Sequence, residues 1–284
     1  MRLDYIIKGI DIERADGPLE TEITDITSDS RQCRPGCLFV AIPGFDSDGH
    51  DYIAKAADAG AAAVIYQKPE ALREILGRGM TAVRVKDSRN ATPDIAGNFF
   101  SHPSRGMHLV GVTGTNGKTT IATLLYRLFT GLGYCCGLLS TIANYICGER
   151  FETTNTTQDP ITLNRLMRMM VDRGCQYCFM EVSSHALHQG RVKGLNFRGA
   201  VFTNITHDHL DYHKTFQEYI RCKKLLFDSL DSNAFALINS DDRNAQIMVQ
   251  NTAAKVYRYS EGSMAEFKVR IVERSLEGYL LSLD

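Results

Sequence analysis

The sequence predicts an α/β protein in two parts, a small N-terminal α/β domain over residues 1–104 and a doubly wound domain over residues 105–284. Three observations predict it. The chain has 284 residues at 44% hydrophobic, more than one core comfortably holds. Short apolar runs alternate with helical stretches before residue 104, as strand–helix–strand units require. The pattern then restarts at Met107 with a strand, a glycine-rich turn and a helix.

In chain order, CLFVAIPG (37–44) reads as a strand ending in a Pro-Gly turn. HDYIAKAADAG (50–60) reads as a helix stopped by glycine, AAAVIY (61–66) as the following strand, and TAVRVKD (81–87) as another. Residues 87–104 form a helical segment closed by SHPSRG, a linker. MHLVGV then gives a strand and TTIATLLYRLFTGLG, from Thr119, a helix. Further strands are expected at YCFMEVS, GAVFTNI and AFALINS, with helices between them. Such a sheet binds ligands at the carboxyl ends of its strands.

Composition excludes several classes. Lys plus Arg total 32 against 33 acidic residues, too balanced for a protein that holds polyanionic nucleic acid by charge. No apolar run approaches the roughly 18 residues of a membrane span. The N-terminus MRLDYIIKGIDIERADG has acidic residues and no apolar signal region, so a cytoplasmic location and reduced thiols are expected for the eight cysteines. Two spacings, Cys33/Cys37 and Cys175/Cys178, offer a structural zinc site if the pairs meet in space; buried free thiols are the alternative.

GVTGTNGKTT (111–120) carries the strongest chemistry. A strand delivers the chain to glycines whose amides can approach phosphate oxygens, and the helix that follows points its positive dipole end at the anion. Lys118 supplies a point charge for the β- and γ-phosphates of a nucleotide, and the Thr119 hydroxyl suits Mg²⁺. The general pattern asks for glycine at position 112, where this chain has Val112, with Gly111 and Gly114 on either side. Glu181 closes the apolar strand CFMEV next to this loop, the usual place for a Mg²⁺ ligand in a doubly wound sheet. His207, His209 and His213 with Asp208 and Asp211 could chelate zinc. The segment 215–230 reads as an amphipathic helix, with Phe216, Tyr219, Ile220, Phe227 and Leu230 on one stripe. Lys223 falls inside that stripe and Lys224 near its edge. An ammonium on an apolar face must neutralise, pair, be modified or snorkel.

TGTNGKTT resembles the nucleotide loop of the Mur ligases, the ATP-dependent enzymes that build the peptide stem of bacterial peptidoglycan. Folylpolyglutamate and cyanophycin synthetases carry related loops. Four more stretches, in family order, narrow the resemblance: TSDSRQCRPGCLFVAIPG (27–44), TTNTTQDP (153–160), MEVSSHALHQGRV (180–192) and FTNITHDHLDYHKTFQEYIRCKKLLF (202–227). They point to the branch that acts on UDP-MurNAc-L-Ala-D-Glu.

The resemblance implies an N-terminal UDP-substrate domain and a central ATPase-type domain. It implies ATP bound by Gly114, Thr115, Asn116, Gly117, Lys118, Thr119 and Thr120, with Asn239 on the adenine side. Ser30, Phe45, Asp46 and Ser47 would hold the UDP end of the substrate. Asn155, Thr156, Thr157, Ser183, Gln189 and Arg191 would contact the muramoyl dipeptide, Arg191 suiting a carboxylate. Mg²⁺ would be held by Thr119, Glu181, His209 and a Lys223 carbamylated by CO₂; Cys222 stands where the family usually has alanine. The implied reaction is ligation of a diamino acid, meso-diaminopimelate or L-lysine, through an acyl phosphate, by a monomer with no nucleic-acid or membrane partner, in peptidoglycan and cell-wall synthesis. A folate- or cyanophycin-type ligase, or a non-catalytic nucleotide or UDP-sugar module, is the alternative.

FKVRIVERSLEGYLLSLD (267–284) reads as a strand, a Glu277-Gly278 turn and a second strand that stops at Asp284. Family members continue into a third, amino-acid-binding domain. The expectation from sequence is therefore a chain that binds nucleotide but cannot complete ligation alone, for lack of amine-positioning residues.

Overall fold

The computed structural model describes residues 1–44, 47–153, 155–206, 210–275 and 278–284. The chain divides into two compact units, Met1–Pro103 with Asp159–Arg168, and Ser104–Gln158 with Met169–Asp284.

The first unit runs α1 (Leu3–Ile6), β1 (Ile12–Asp16), β2 (Ile26–Thr27), β3 (Leu38–Val40), α2 (Ile53–Asp58), β4 (Ala63–Tyr66), α3 (Leu72–Ile75), β5 (Thr81–Val85) and α4 (Ser88–Phe99). Its sheet has the order β1-β5-β4-β3-β2, parallel except for β1 against β5. The strands β3, β4 and β5 are buried on both faces, which is why they read as continuous apolar runs rather than alternating ones. One face packs Leu38, Val40, Ile65 and Val83 against α1 and α4; the other packs Phe39, Val64 and Tyr66 against α2 and α3. Asp87 caps α4 by accepting from Asn90 N at 2.9 Å.

The second unit runs β6 (His108–Thr113), α5 (Lys118–Gly131), β7 (Cys136–Leu139), β8 (Asn144–Ile146), β9 (Glu149–Phe151), the end of α6 (Pro160–Asp172, its residues up to Arg168 belonging to the first unit), β10 (Tyr177–Glu181), α7 (Ser184–His188), β11 (Phe197–Phe202), α8 (Leu210–His213), α9 (Phe216–Asp228), β12 (Phe235–Asn239), α10 (Ala245–Met248), β13 (Lys255–Ser260), β14 (Phe267–Ser275) and β15 (Gly278–Leu283). Among the described residues its sheet is ordered β15-β14-β13-β12-β11-β6-β10-β7-β8-β9. The parallel strands β7, β10, β6, β11 and β12 place their carboxyl ends side by side, the doubly wound arrangement read from sequence. Ala122 of α5 is buried against Val110, Val112, Phe179 and Val201. No helix among the described residues is long and apolar enough to cross a membrane.

Two features differ from the sequence reading. Residues 159–168, expected in the second domain, cluster with the first unit, because Ile161 joins that unit's core and Arg165 pairs with Asp25 at 2.9 Å. Cys135 and Cys147 form a disulfide, correcting the expectation of eight reduced thiols. A two-residue turn between β8 and β9 folds Cys147 back onto the start of β7, where its N–H donates to Cys136 O at 3.0 Å. The zinc pairing also fails at Cys175/Cys178: the Cys175 sulfur faces Cys135 and Cys147, while Cys178 lies fully buried within β10.

Candidate active site

The chain leaves β6 at Thr113 and turns through Gly114–Gly117 into α5, whose first residue is Lys118. Two glycines make the turn possible. Gly114 has φ +152°, and a Cβ there would lie 2.0 Å from Thr203 Oγ1 and 2.9 Å from Asn204 O. Gly117, with φ +84°, caps α5 in the left-handed region that L-residues enter at a cost of about 1–2 kcal/mol. The loop is tied to the end of β11: Thr115 N donates to Asn204 O at 2.8 Å, and Thr203 Oγ1 to Asn116 O at 2.6 Å. Gly114→Ala is therefore expected to cost more than Gly117→Ala, whose Cβ meets nothing closer than 3.9 Å. Denaturant unfolding of the two variants should show a further loss of about 1–3 kcal/mol for Gly114→Ala; equal losses would contradict the packing argument.

Glu181 ends β10 directly beside the loop and is fully buried. Its carboxylate accepts from Thr119 Oγ1 at 2.8 Å, Thr141 N at 2.7 Å and Thr141 Oγ1 at 3.2 Å. Charge-assisted hydrogen bonds of this kind offset part of the cost of burying the carboxylate. Thr157 Oγ1 donates to Glu181 O at 2.9 Å and accepts from Ser183 N at 3.1 Å, which fixes the segment before α6 against the end of β10. Arg191 donates to Thr157 O at 2.8 Å and to Gln189 Oε1 at 2.9 and 2.7 Å. Gln189 in turn donates to Tyr212 OH at 3.2 Å.

Lys223 projects from α9, whose first turn is capped by Thr215 accepting from Glu218 N at 3.2 Å. It is 1% exposed, lies over the Tyr219 ring at 4.6 Å, and donates to Gly114 O at 2.8 Å. Lys118 donates to Gly114 O at 3.0 Å and Thr115 O at 2.8 Å, so both ammonium groups converge on the same loop. Lys224 instead pairs with Asp228 one turn along the helix. Burial pushes the Cys222 thiol up to about 11, so it stays protonated and is no nucleophile.

These groups line one cavity of about 350 Å³. Lys118, Thr119, Asn155, Thr156, Thr157 and Glu181 contribute to its wall, and so do Ser183, Arg191 and Lys223. Its wall also takes Thr141, Ser184 and His185, which sequence reasoning missed. Thr141 had a usable signal, since it follows the apolar strand β7 at the carboxyl end of the sheet. Asn239 ends β12 and donates to Thr203 O at 2.9 Å, beside the loop's anchor. In the first unit, Ser30 is buried at the start of a short turn that Asp29 caps, and Ser47 is exposed. Phe45, Asp46 and His209 lie outside the described residues, as do His207, Asp208 and Glu277. His213 pairs with Ser184 Oγ at 2.9 Å.

Two family models match the chain: the Mur ligase middle domain over residues 112–283 and the Mur ligase family catalytic domain over residues 22–100. The UDP-N-acetylmuramoyl-L-alanyl-D-glutamate–2,6-diaminopimelate ligase of Phocaeicola vulgatus is 49% identical over 284 residues, covering 100% of this chain and 58% of its own length. That of Cytophaga hutchinsonii is likewise 49% identical, over 285 residues, with the same coverage. A solved structure of a ligase of that name superposes with a TM-score of 0.81 at 26% identity, covering 100% of this chain and 57% of the other. The chain thus spans about 58% of the length of the curated relatives it matches.

Proposed function

This chain belongs to the Mur ligase family, and we propose that it activates the D-Glu γ-carboxylate of UDP-MurNAc-L-Ala-D-Glu with ATP, for ligation to a diamino acid. The observation that carries this reading is the convergence of Lys118, Lys223 and the buried Glu181–Thr119 pair on one glycine-rich loop at the carboxyl ends of the strands. The relatives are named for 2,6-diaminopimelate, which supports that amine over L-lysine.

The residues present fit a nucleotide and a hard cation. The loop supplies backbone amides and a helix N-terminus for phosphate. Glu181, Thr119 and Thr141 form an all-oxygen set of a carboxylate and hydroxyls, the chemistry Mg²⁺ prefers. Thr119 and Glu181 would hold Mg²⁺, with His209 and a carbamylated Lys223 as further ligands. When bound, Mg²⁺ would supply positive charge against the nucleotide's phosphate oxygens.

The chain's own residues serve the activation step. A carboxylate oxygen of the substrate attacks the γ-phosphorus, the bond from γ-phosphorus to the bridging oxygen breaks, and ADP leaves. Lys118, released from the loop carbonyls, offsets the charge spreading over the transferred phosphoryl group. Arg191, already oriented by Gln189, binds a substrate carboxylate, while Asn155, Thr156 and Ser183 offer neutral donors and acceptors. In the complete reaction an amine would then attack the acyl carbon, with phosphate departing and the amine giving up a proton; none of these residues positions that amine. Ser30, Phe45, Asp46 and Ser47 bind the UDP end, the unit of residues 1–103 with 159–168 serving as the UDP-substrate domain and the remainder as the ATP domain; Asn239 faces the adenine.

An assay of ATP consumption separates this from a folylpolyglutamate-type ligase or a binding module. ADP should form only when UDP-MurNAc-L-Ala-D-Glu is present, with meso-diaminopimelate and L-lysine compared side by side. ADP release that ignores the muramoyl dipeptide, or answers to a folate, would overturn the assignment.

A further inference from the structure

At the opposite, amino-terminal ends of the strands, three cysteines far apart in sequence meet. Cys175 Sγ lies 3.5 Å from Cys135 Sγ and 3.4 Å from Cys147 Sγ, and the three sulfurs fall within 4.8 Å of one another. Each is held by backbone pairing. Gln176 N donates to Cys135 O at 2.9 Å, Cys147 N to Cys136 O at 3.0 Å, and Cys175 N to Met170 O at 2.9 Å. Cys175 is 3% exposed, whereas Cys147 sits in the exposed turn and opens the cluster to solvent.

The turn itself marks Cys147. Cys147 and Gly148 both have positive φ, +47° and +88°. Two-residue hairpin turns of this type favour Asn-Gly or Asp-Gly. A cysteine at that position carries a conformational cost, and its thiol is turned onto the other two sulfurs.

Thiol–disulfide exchange fits the placement poorly. An attacking sulfur must approach along the S–S axis, close to one sulfur and far from the other, but Cys175 is nearly equidistant from both. An equidistant third sulfur suits a shared central ligand.

We propose that the reduced cluster is a three-thiolate site for a thiophilic d¹⁰ cation of the Zn²⁺ class, with solvent as the fourth ligand on the Cys147 side. Three cysteine ligands plus an open position are a zinc-type donor set. A phosphine reductant opens the Cys135–Cys147 disulfide by supplying two electrons; with one water it becomes the phosphine oxide, and the sulfurs take two protons. Binding of the cation then displaces the thiol protons to water. The cation fastens the β8–β9 turn and the start of β7 to the loop that enters β10. Disulfide and cation are alternative occupants of one cluster.

The test is a Co²⁺ titration of the whole chain after reduction and desalting without oxygen. One Co²⁺ per chain should give the thiolate-to-cobalt charge-transfer absorption, and Zn²⁺ should bleach it. Cys147→Ser, in an exposed turn and so tolerant of change, should lose the band, as should Cys175→Ser. Cys33→Ser/Cys37→Ser should keep it. No band in the reduced wild-type chain, a band in unreduced protein, or one that survives Cys147→Ser would overturn the site.

Discussion

Lys118→Ala is expected to reduce dipeptide-dependent ATP turnover by about 10²–10³-fold or more, the usual effect of deleting one group that stabilises developing charge. The fold should remain. In the absence of nucleotide the ammonium donates to two neutral carbonyls of its own loop, Gly114 O and Thr115 O. Lys223 also donates to Gly114 O at 2.8 Å, so that carbonyl keeps a partner when Lys118 is removed, and the melting temperature should move by no more than a few degrees. The group's main contribution comes when a triphosphate replaces the carbonyls as its partner. Coupled-enzyme detection of ADP with a parallel thermal melt measures both quantities. Near wild-type turnover would remove the loop assignment.

The second large effect is expected at Lys223. Its side chain is 1% exposed and reaches Gly114 O, whereas Lys224, 9% exposed, reaches Asp228 on its own helix. Lys223→Met keeps most of the packing but removes the nitrogen, and it should lower turnover by about 10²-fold. Lys224→Ala should cost little activity, because its ammonium pairs with Asp228 on its own helix; its loss should show as lower stability in a thermal melt, since the pair is mostly buried. Carbamylation needs the ammonium to lose one proton and the resulting neutral amine to lose a second as it joins CO₂, turning a cation into an anion with two oxygens for a hard metal. With ¹³C-labelled bicarbonate, a carbamate carbon resonance should appear in the wild-type chain and vanish in Lys223→Met. Added acetate should restore part of the activity of Lys223→Ala. Equal losses at Lys223 and Lys224 would contradict the helix-face argument.

The part of the fold legible in the sequence was the part set by local pattern. The strands β3, β4, β6 and β10 were visible because burial on both faces makes them continuous apolar runs. The loop was visible because glycine spacing before a helix start has a direct steric cause, seen in the 2.0 Å approach a Gly114 side chain would make. The buried place of Lys223 followed from helical periodicity alone. What escaped was set by contacts between distant segments. Thr141 grips Glu181 from 40 residues away, and no spacing rule links them. The Cys135–Cys147 disulfide depends on a hairpin turn with positive φ at a cysteine, a conformation that sequence rules assign to Asn or Gly. The start of α6 reads as one helix with its end, and only tertiary packing gives its first residues to the other unit.

If this site makes an acyl phosphate, hydroxylamine will trap it. The wild-type chain is incubated with ATP, Mg²⁺, UDP-MurNAc-L-Ala-D-Glu and hydroxylamine, with no amino acid present. A hydroxamate should form on the D-Glu γ-carboxyl in step with ADP and be lost in Lys118→Ala. ADP formed without hydroxamate, or hydroxamate formed without ATP, would contradict the acyl-phosphate step.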